Sequence, residues 1–139
     1  MIKNLEEYFL PEQTYFLNSV NYKILDNASQ DGEIKCIDNI NTNVTDDGVR
    51  VIFTRTLKFT PESVFELSVS FGTILKFNEK NKDEIKWNDI SLAKEFKDNG
   101  AFVLQNLLNR TSLLIAEITA SFGQIPIIIP PIIGSEELS

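Results

Sequence analysis

Two runs of alternating residues place the strongest constraint on this chain. Val49, Val51, Phe53, Leu57 and Phe59 alternate with Arg50, Thr54, Thr56 and Lys58, and beyond Thr60-Pro61-Glu62-Ser63 the residues Phe65, Leu67, Val69 and Phe71 alternate with Glu66, Ser68 and Ser70. Successive side chains of a strand point to opposite faces, so each run predicts a strand with one apolar and one polar side. With a tight connection between them, the two predict an antiparallel hairpin in a sheet that is covered on one face and wet on the other.

The cover is supplied by one long helix. Val103, Leu104, Leu107, Leu108, Leu114, Ile115, Ile118 and Phe122 recur three and four apart, with Phe102 and Leu113 widening the stripe. Gln105, Asn106, Asn109, Arg110 and Glu117 interrupt the segment Ala101 to Phe122, which argues against a membrane span. So wide a stripe predicts cover from the sheet on one side and from another subunit on a second. A short helical stretch near Leu92 to Phe96 precedes it, with a stop at Asn99-Gly100; Gly123 is the expected end of the long helix. Ile125-Pro126-Ile127-Ile128-Ile129-Pro130-Pro131-Ile132-Ile133 is then expected to run extended, because each proline fixes its own φ and restricts the residue before it.

Upstream, Met1 to Glu12 is expected to form at most a turn or short helix, stopped at Pro11. From Thr14 to Leu25 the even spacing of Phe16, Val20, Tyr22 and Ile24 predicts a half-buried strand, ended by the turn-forming cluster Asp26 to Gly32. Glu33 to Ile40 puts Ile34, Cys36 and Asp38 on one side and Ile37 on the other, a strand with two partly apolar faces and a candidate sheet edge. A polar loop is expected over Asn41 to Gly48, and a charged loop over Glu79 to Asp89.

At 139 residues and 42% apolar content the chain supports one ordinary core, hence a single domain over 1–139. Thirteen basic against twenty acidic residues give a net charge of -7, which repels nucleic acid and anionic lipid and favours protein partners. Cys36 is the single cysteine and so has no internal disulfide partner; Glu6 and Glu7 stand where a signal peptide needs an apolar run, so a cytoplasmic location is expected. On that expectation the Asn-x-Ser/Thr sequons at Asn27, Asn43 and Asn109 carry no chemistry. The absence of histidine removes Ser-His and Cys-His pairs and the commonest metal ligand, and six scattered glycines make no phosphate loop. The acidic pairs Glu6-Glu7, Asp46-Asp47, Asp83-Glu84 and Glu136-Glu137 sit in loops or termini as solvated charge. No enzyme, cofactor or metal is expected.

Glu33-Ile34-Lys35-Cys36-Ile37-Asp38, the acidic Asp46-Asp47 turn, Val49 to Leu57, and the turn into Val64-Phe65-Glu66-Leu67-Ser68-Val69 resemble the consecutive strands of the SecB export-chaperone family. Gly72-Thr73-Ile74-Leu75-Lys76-Phe77 is similar to the end of that family's fourth strand, and Ile115 to Ile132, a helix end followed by an Ile-Pro run, is similar to its long helix and proline segment. In order and spacing these stretches cover most of Thr14 to Ile133. The resemblance stops before the further helix that walls part of the family's client groove, so an identical groove is not expected.

The resemblance implies an α+β fold with a four-stranded antiparallel sheet, one long helix packed on it, and a homotetramer built as a dimer of dimers. It implies an ATP-independent chaperone that binds unfolded clients, in preprotein export with the SecA translocation motor or beside a toxin-antitoxin pair. The candidate client surface is Ile34, Cys36, Ile37, Ile74, Ile127, Ile128 and Ile129; the candidate oligomer interface is Leu104, Leu107, Leu108, Arg110, Leu114 and Ile118. The competing class is a carrier or scaffold subunit whose apolar cover encloses a small lipid-like ligand.

Overall fold

The computed structural model describes residues 2–25, 33–60, 65–121, 126–133 and 135–138. Four long strands, β1 (Phe9–Ile24), β2 (Glu33–Val44), β3 (Gly48–Thr60) and β4 (Phe65–Phe77), pair antiparallel, and a short β5 (Ser135–Leu138) joins β2 in parallel. The order across the sheet is β1-β4-β3-β2-β5. The helices α1 (Leu92–Asn99) and α2 (Ala101–Ala120) lie on one face. This is the expected α+β architecture of four antiparallel strands under one long helix, with a fifth strand from a segment for which no element was expected.

Residues directly opposite in neighbouring strands share a face, so the register resolves the covered face into rows. Tyr22, Leu67, Leu57 and Cys36 form one row; Val20, Val69, Arg55 and Asp38 the next; Leu17, Phe71, Phe53 and Ile40 the third. Further along, Val49, Val51, Leu75 and Phe77 lie under α1 and the first half of α2 in a core built on Trp87, Phe96, Val103, Leu104 and Leu107. Phe9, Phe77 and Trp87 pack with ring centroids 5.1 to 5.7 Å apart, and the Trp87 indole donates to the Lys82 carbonyl at 2.9 Å. Trp87 thus finds the partner that a buried indole N–H requires. The charged stretch expected to be loop contains 3₁₀ turns at Lys82–Glu84 and Trp87–Asp89, the second of which places this indole.

Several boundaries differ from the sequence expectation. A 3₁₀ turn occupies Leu5–Tyr8, and β1 begins at Phe9 and runs through Pro11. Proline is tolerated there because β1 is an edge strand and its register breaks between Phe9 and Gln13. A second break between Leu17 and Ser19 re-phases the strand: Tyr15, Leu17, Val20, Tyr22 and Ile24 all face the helices, and Phe16 moves to the bare face. There it lies over Gly72, where an added Cβ would fall 2.6 Å from Phe16 Cζ and 2.4 Å from Ile52 Cδ1. The polar loop shrinks to residues 45–47, because β2 continues to Val44. Gly48 closes the turn where only glycine fits, since a Cβ would lie 1.8 Å from the Leu75 carbonyl oxygen. The helix α2 ends at Ala120. The turns expected at Asp26 to Gly32 and Pro61 to Ser63, and the stop at Gly123, lie outside the described residues.

Candidate functional site: an apolar surface flanking α2

The two halves of α2 cover the sheet unequally. Its first half closes on the aromatic core described above, whereas its second half, through Ile115 with Leu114 and Ile118 at the margins, covers Leu57, Phe65, Leu67 and Val69. One helix is narrower than four strands, so apolar rows extend past it on both flanks.

On the β1 flank the rows are open. Phe102 lies 6.4 Å from Phe9, and the Arg110 guanidinium sits 4.8 Å from the centre of the Tyr15 ring, which identifies the side of α2 that overlooks β1. Leu114, four positions beyond Arg110, continues that side, whereas Leu113, two positions from each of the buried Thr111 and Ile115, points away from the sheet and is 62% exposed. Beside α2, Leu17, Val20, Tyr22 and Ile24 are exposed by 52%, 45%, 44% and 71%. These form an apolar row along the trough between α2 and β1, where Arg110 lies over Tyr15.

On the β2 flank the groove is filled by residues 126–133. Ile127 and Ile129 pack with Cys36 against the second core cluster, while Ile128 faces out. The Ile127 N–H donates to Thr119 Oγ1 at 2.8 Å, and that hydroxyl donates to the Ile115 carbonyl. Beyond this point the segment is held by Arg55. Its Nε and Nη2 grip Asp38 Oδ1 and Oδ2, both at 2.8 Å; Nη1 donates to Ser112 Oγ and the Pro130 carbonyl, both at 3.0 Å; Nη2 also reaches the Ile132 carbonyl at 2.6 Å. All five N–H donors of the guanidinium are thereby matched.

Arg55 and Asp38 are both 0% exposed and directly opposite in the register. Burial lowers the Arg55 pKa, but the Asp38 hydrogen bonds and charge outweigh it, and the net shift is upward, so the group stays charged. Cys36, half-buried beside Asp38, has its thiol pushed up to about 11 by burial and then by the Asp38 charge. It is a packing residue with little thiolate near neutrality.

The residues singled out in the sequence divide by face. Ile34, Cys36, Ile127 and Ile129 lie on the helix side, with Ile34 exposed at its rim. Ile37 and Ile74 lie on the bare face, opposite Thr56 and Arg50 respectively, and share no groove with the others. Leu104, Leu107 and Leu108 are buried within this chain's own core, at most 4% exposed, so they are corrected from interface candidates to core. Of that set Arg110 is exposed and Leu114 and Ile118 are half-buried. Missed was Arg55, which occupies an apolar position of the β3 alternation; Val20, Tyr22 and Ile24 of β1 were placed on one face but not assigned to a site, and Leu17 was left off that face because its phase depends on a bulge. A cation in an otherwise apolar alternation was the available signal for the first.

Among the described residues no group of His, Cys, Asp and Glu could hold a metal ion, and no helix is long and apolar enough to cross a membrane. No family model matches the chain, and no curated protein matches it. Among solved structures it is similar to the SecB-like chaperone Rv1957 of Mycobacterium tuberculosis, in complex with a ChAD peptide from the HigA1 antitoxin Rv1956. The TM-score is 0.65 over 86% of this chain and 84% of that one, at 8% sequence identity. At that identity the likeness is one of fold, and it agrees with the strand order and helix placement found here: this chain has the SecB-like fold.

Proposed function

We propose that this chain is an ATP-independent holdase that binds unfolded or non-native polypeptides along the trough between α2 and β1. The single observation that carries the reading is the exposed row Leu17, Val20, Tyr22 and Ile24 beside α2, on a fold whose solved neighbour holds an antitoxin peptide. A shallow apolar strip contacts many client sequences without demanding one, and an extended client that meets several such strips on an oligomer gains affinity through effective concentration. The reading includes a homotetramer, action in the cytoplasm, and clients supplied either by preprotein export with the SecA motor or by a toxin-antitoxin pair. The neighbour's antitoxin complex favours the second supply.

The carrier reading has less support. A depression of about 580 Å³ on the bare face is lined by Asn18, Asn39, Asn41, Thr42, Asn43, Arg50, Ile52 and Thr54, a polar set poorly matched to a lipid-like molecule.

Aggregation of a denatured test protein, followed by light scattering without nucleotide, tests the proposal. Substoichiometric suppression by the wild-type chain, weakened by Leu17→Asp/Ile24→Asp with unchanged circular dichroism, is the expected result. No suppression by the wild type at molar excess would overturn it.

A further inference from the structure

The two flanks of α2 are alike in apolar character and differ in occupancy, and the occupied one shows how a peptide sits. Residues 126–129 contribute alternate side chains to the floor, Ile127 and Ile129 inward and Ile128 outward, as an extended chain does, before a tight turn in which the Ile132 N–H donates to the Pro130 carbonyl. Pro126, Pro130 and Pro131 have no N–H to give to a ladder with β2. The segment is held instead by side chains of the groove: Thr119 accepts its Ile127 N–H, and Arg55 donates to the carbonyls of Pro130 and Ile132, two residues apart. Immediately afterwards β5 adds in parallel to Ile37–Ile40 of β2, the strand-addition mode by which extended peptides join a sheet edge.

None of these contacts reads a side chain that only this tail possesses. A backbone N–H and two apolar side chains on one side are offered by any extended apolar segment, and the paired carbonyls of Pro130 and Ile132 by any segment that can make the tight turn closed here by the Ile132 N–H on the Pro130 carbonyl at 2.8 Å. Arg55 is fixed by its bidentate bond to Asp38 whether or not the tail is seated, so its remaining donors are oriented in advance. A hydrocarbon ligand would bury those donors without partners, which selects polypeptide over lipid.

We infer that the Arg55–Ser112–Thr119 groove is a binding site for apolar polypeptide, filled in cis by the chain's own residues 126–133 with β5 beyond them, and that a client segment entering it displaces them. The inference rests on the chaperone reading for the identity of the competitor. The tail, being tethered, competes at high effective concentration, so a segment arriving alone is excluded, and one already held on the β1 flank of the same oligomer enters. The tail acts as a threshold on client length.

Two measurements on the full-length chain test this. In the first, a fluorescent synthetic peptide of residues 125–138 is titrated with wild type and with Ile127→Asp/Ile129→Asp, which unseats the tail and leaves the groove intact. Binding to the variant at least about tenfold tighter than to wild type is expected, since the tethered competitor is gone. Loss of that gain on adding Thr119→Val or Arg55→Lys, each checked for folding by circular dichroism, assigns it to the groove. Equal binding by wild type and the unseated variant overturns the inference. In the second, the amide exchange of Ile127 in the wild type is followed as a permanently unfolded, carboxymethylated test protein is added. Protection falling as client binds is expected. Client bound with Ile127 still protected overturns the inference and leaves the chaperone reading standing. If no client binds, the chaperone reading fails, and the peptide titration by itself decides the groove.

Discussion

Arg55 stands where the alternation of β3 calls for an apolar side chain, and its burial is tolerated because Asp38 lies directly opposite in β2. A buried charge left without its partner is far more costly than the pair is favourable, so Asp38→Ala is expected to destabilise the chain by about 3–5 kcal/mol in urea unfolding. Stability within error of wild type would mean that solvent reaches the guanidinium. Asp38→Leu combined with Arg55→Met should recover most of the loss while unseating the tail, because neither charge then remains and no donor meets the carbonyls of Pro130 and Ile132. Cys36 provides a pH test. Its folded pKa of about 11 lies above the ordinary thiol value of 9.0, so the neutral thiol favours the fold. That contribution is complete below pH 9 and is lost as pH rises toward 11. Cys36→Ala should therefore flatten the alkaline decline of the melting temperature between those limits. The pairing of Asp38 with Arg55 was hidden in the sequence because a register across two strands is needed to bring positions seventeen apart together.

The α2 stripe shows why periodicity finds a buried face and does not say against what. Leu104, Leu107 and Leu108 were legible as apolar stripe, yet this chain's own sheet takes them up, and the residue left for a partner is Leu113. Leu107→Ala should cost about 2–5 kcal/mol by transfer and cavity together, whereas Ile24→Ala, at an exposed position of the β1 row, should change stability by no more than about 0.5 kcal/mol while weakening client retention. Thermal unfolding and aggregation suppression, run side by side, separate the two; a large loss of stability in Ile24→Ala would place that side chain in the core. β1 carries the same lesson for strands. Period two holds only until a bulge, and the break between Leu17 and Ser19 exchanges Phe16 for Tyr15 and Leu17 on the helix side.

At the scale of the molecule, a sheet with one helix layer leaves the apolar flanks of its covered face to be filled by tail, client or another copy. We expect four copies by light scattering, with contacts drawn from Arg110 and from Leu114 and Ile118 at the margins of α2; a monomer at all concentrations would contradict this. The net charge of -7 should make cationic unfolded chains the better clients, with affinity that falls as salt rises. Tight binding of an acidic client at high salt would instead assign recognition wholly to apolar contact. Strand alternation, the helix stripe, the prolines of the tail and the absence of histidine were all determined by the sequence, because each is a local property of φ, side-chain period or residue chemistry. The tertiary structure alone decided the rest: that Arg55 meets Asp38, that Leu104, Leu107 and Leu108 turn inward, that β1 is re-phased, and that the tail fills one flank of α2 while the other stays open among the described residues. Each of those depends on register and packing between segments far apart in the chain, where the free energy of burial selects one of several arrangements that local sequence permits equally.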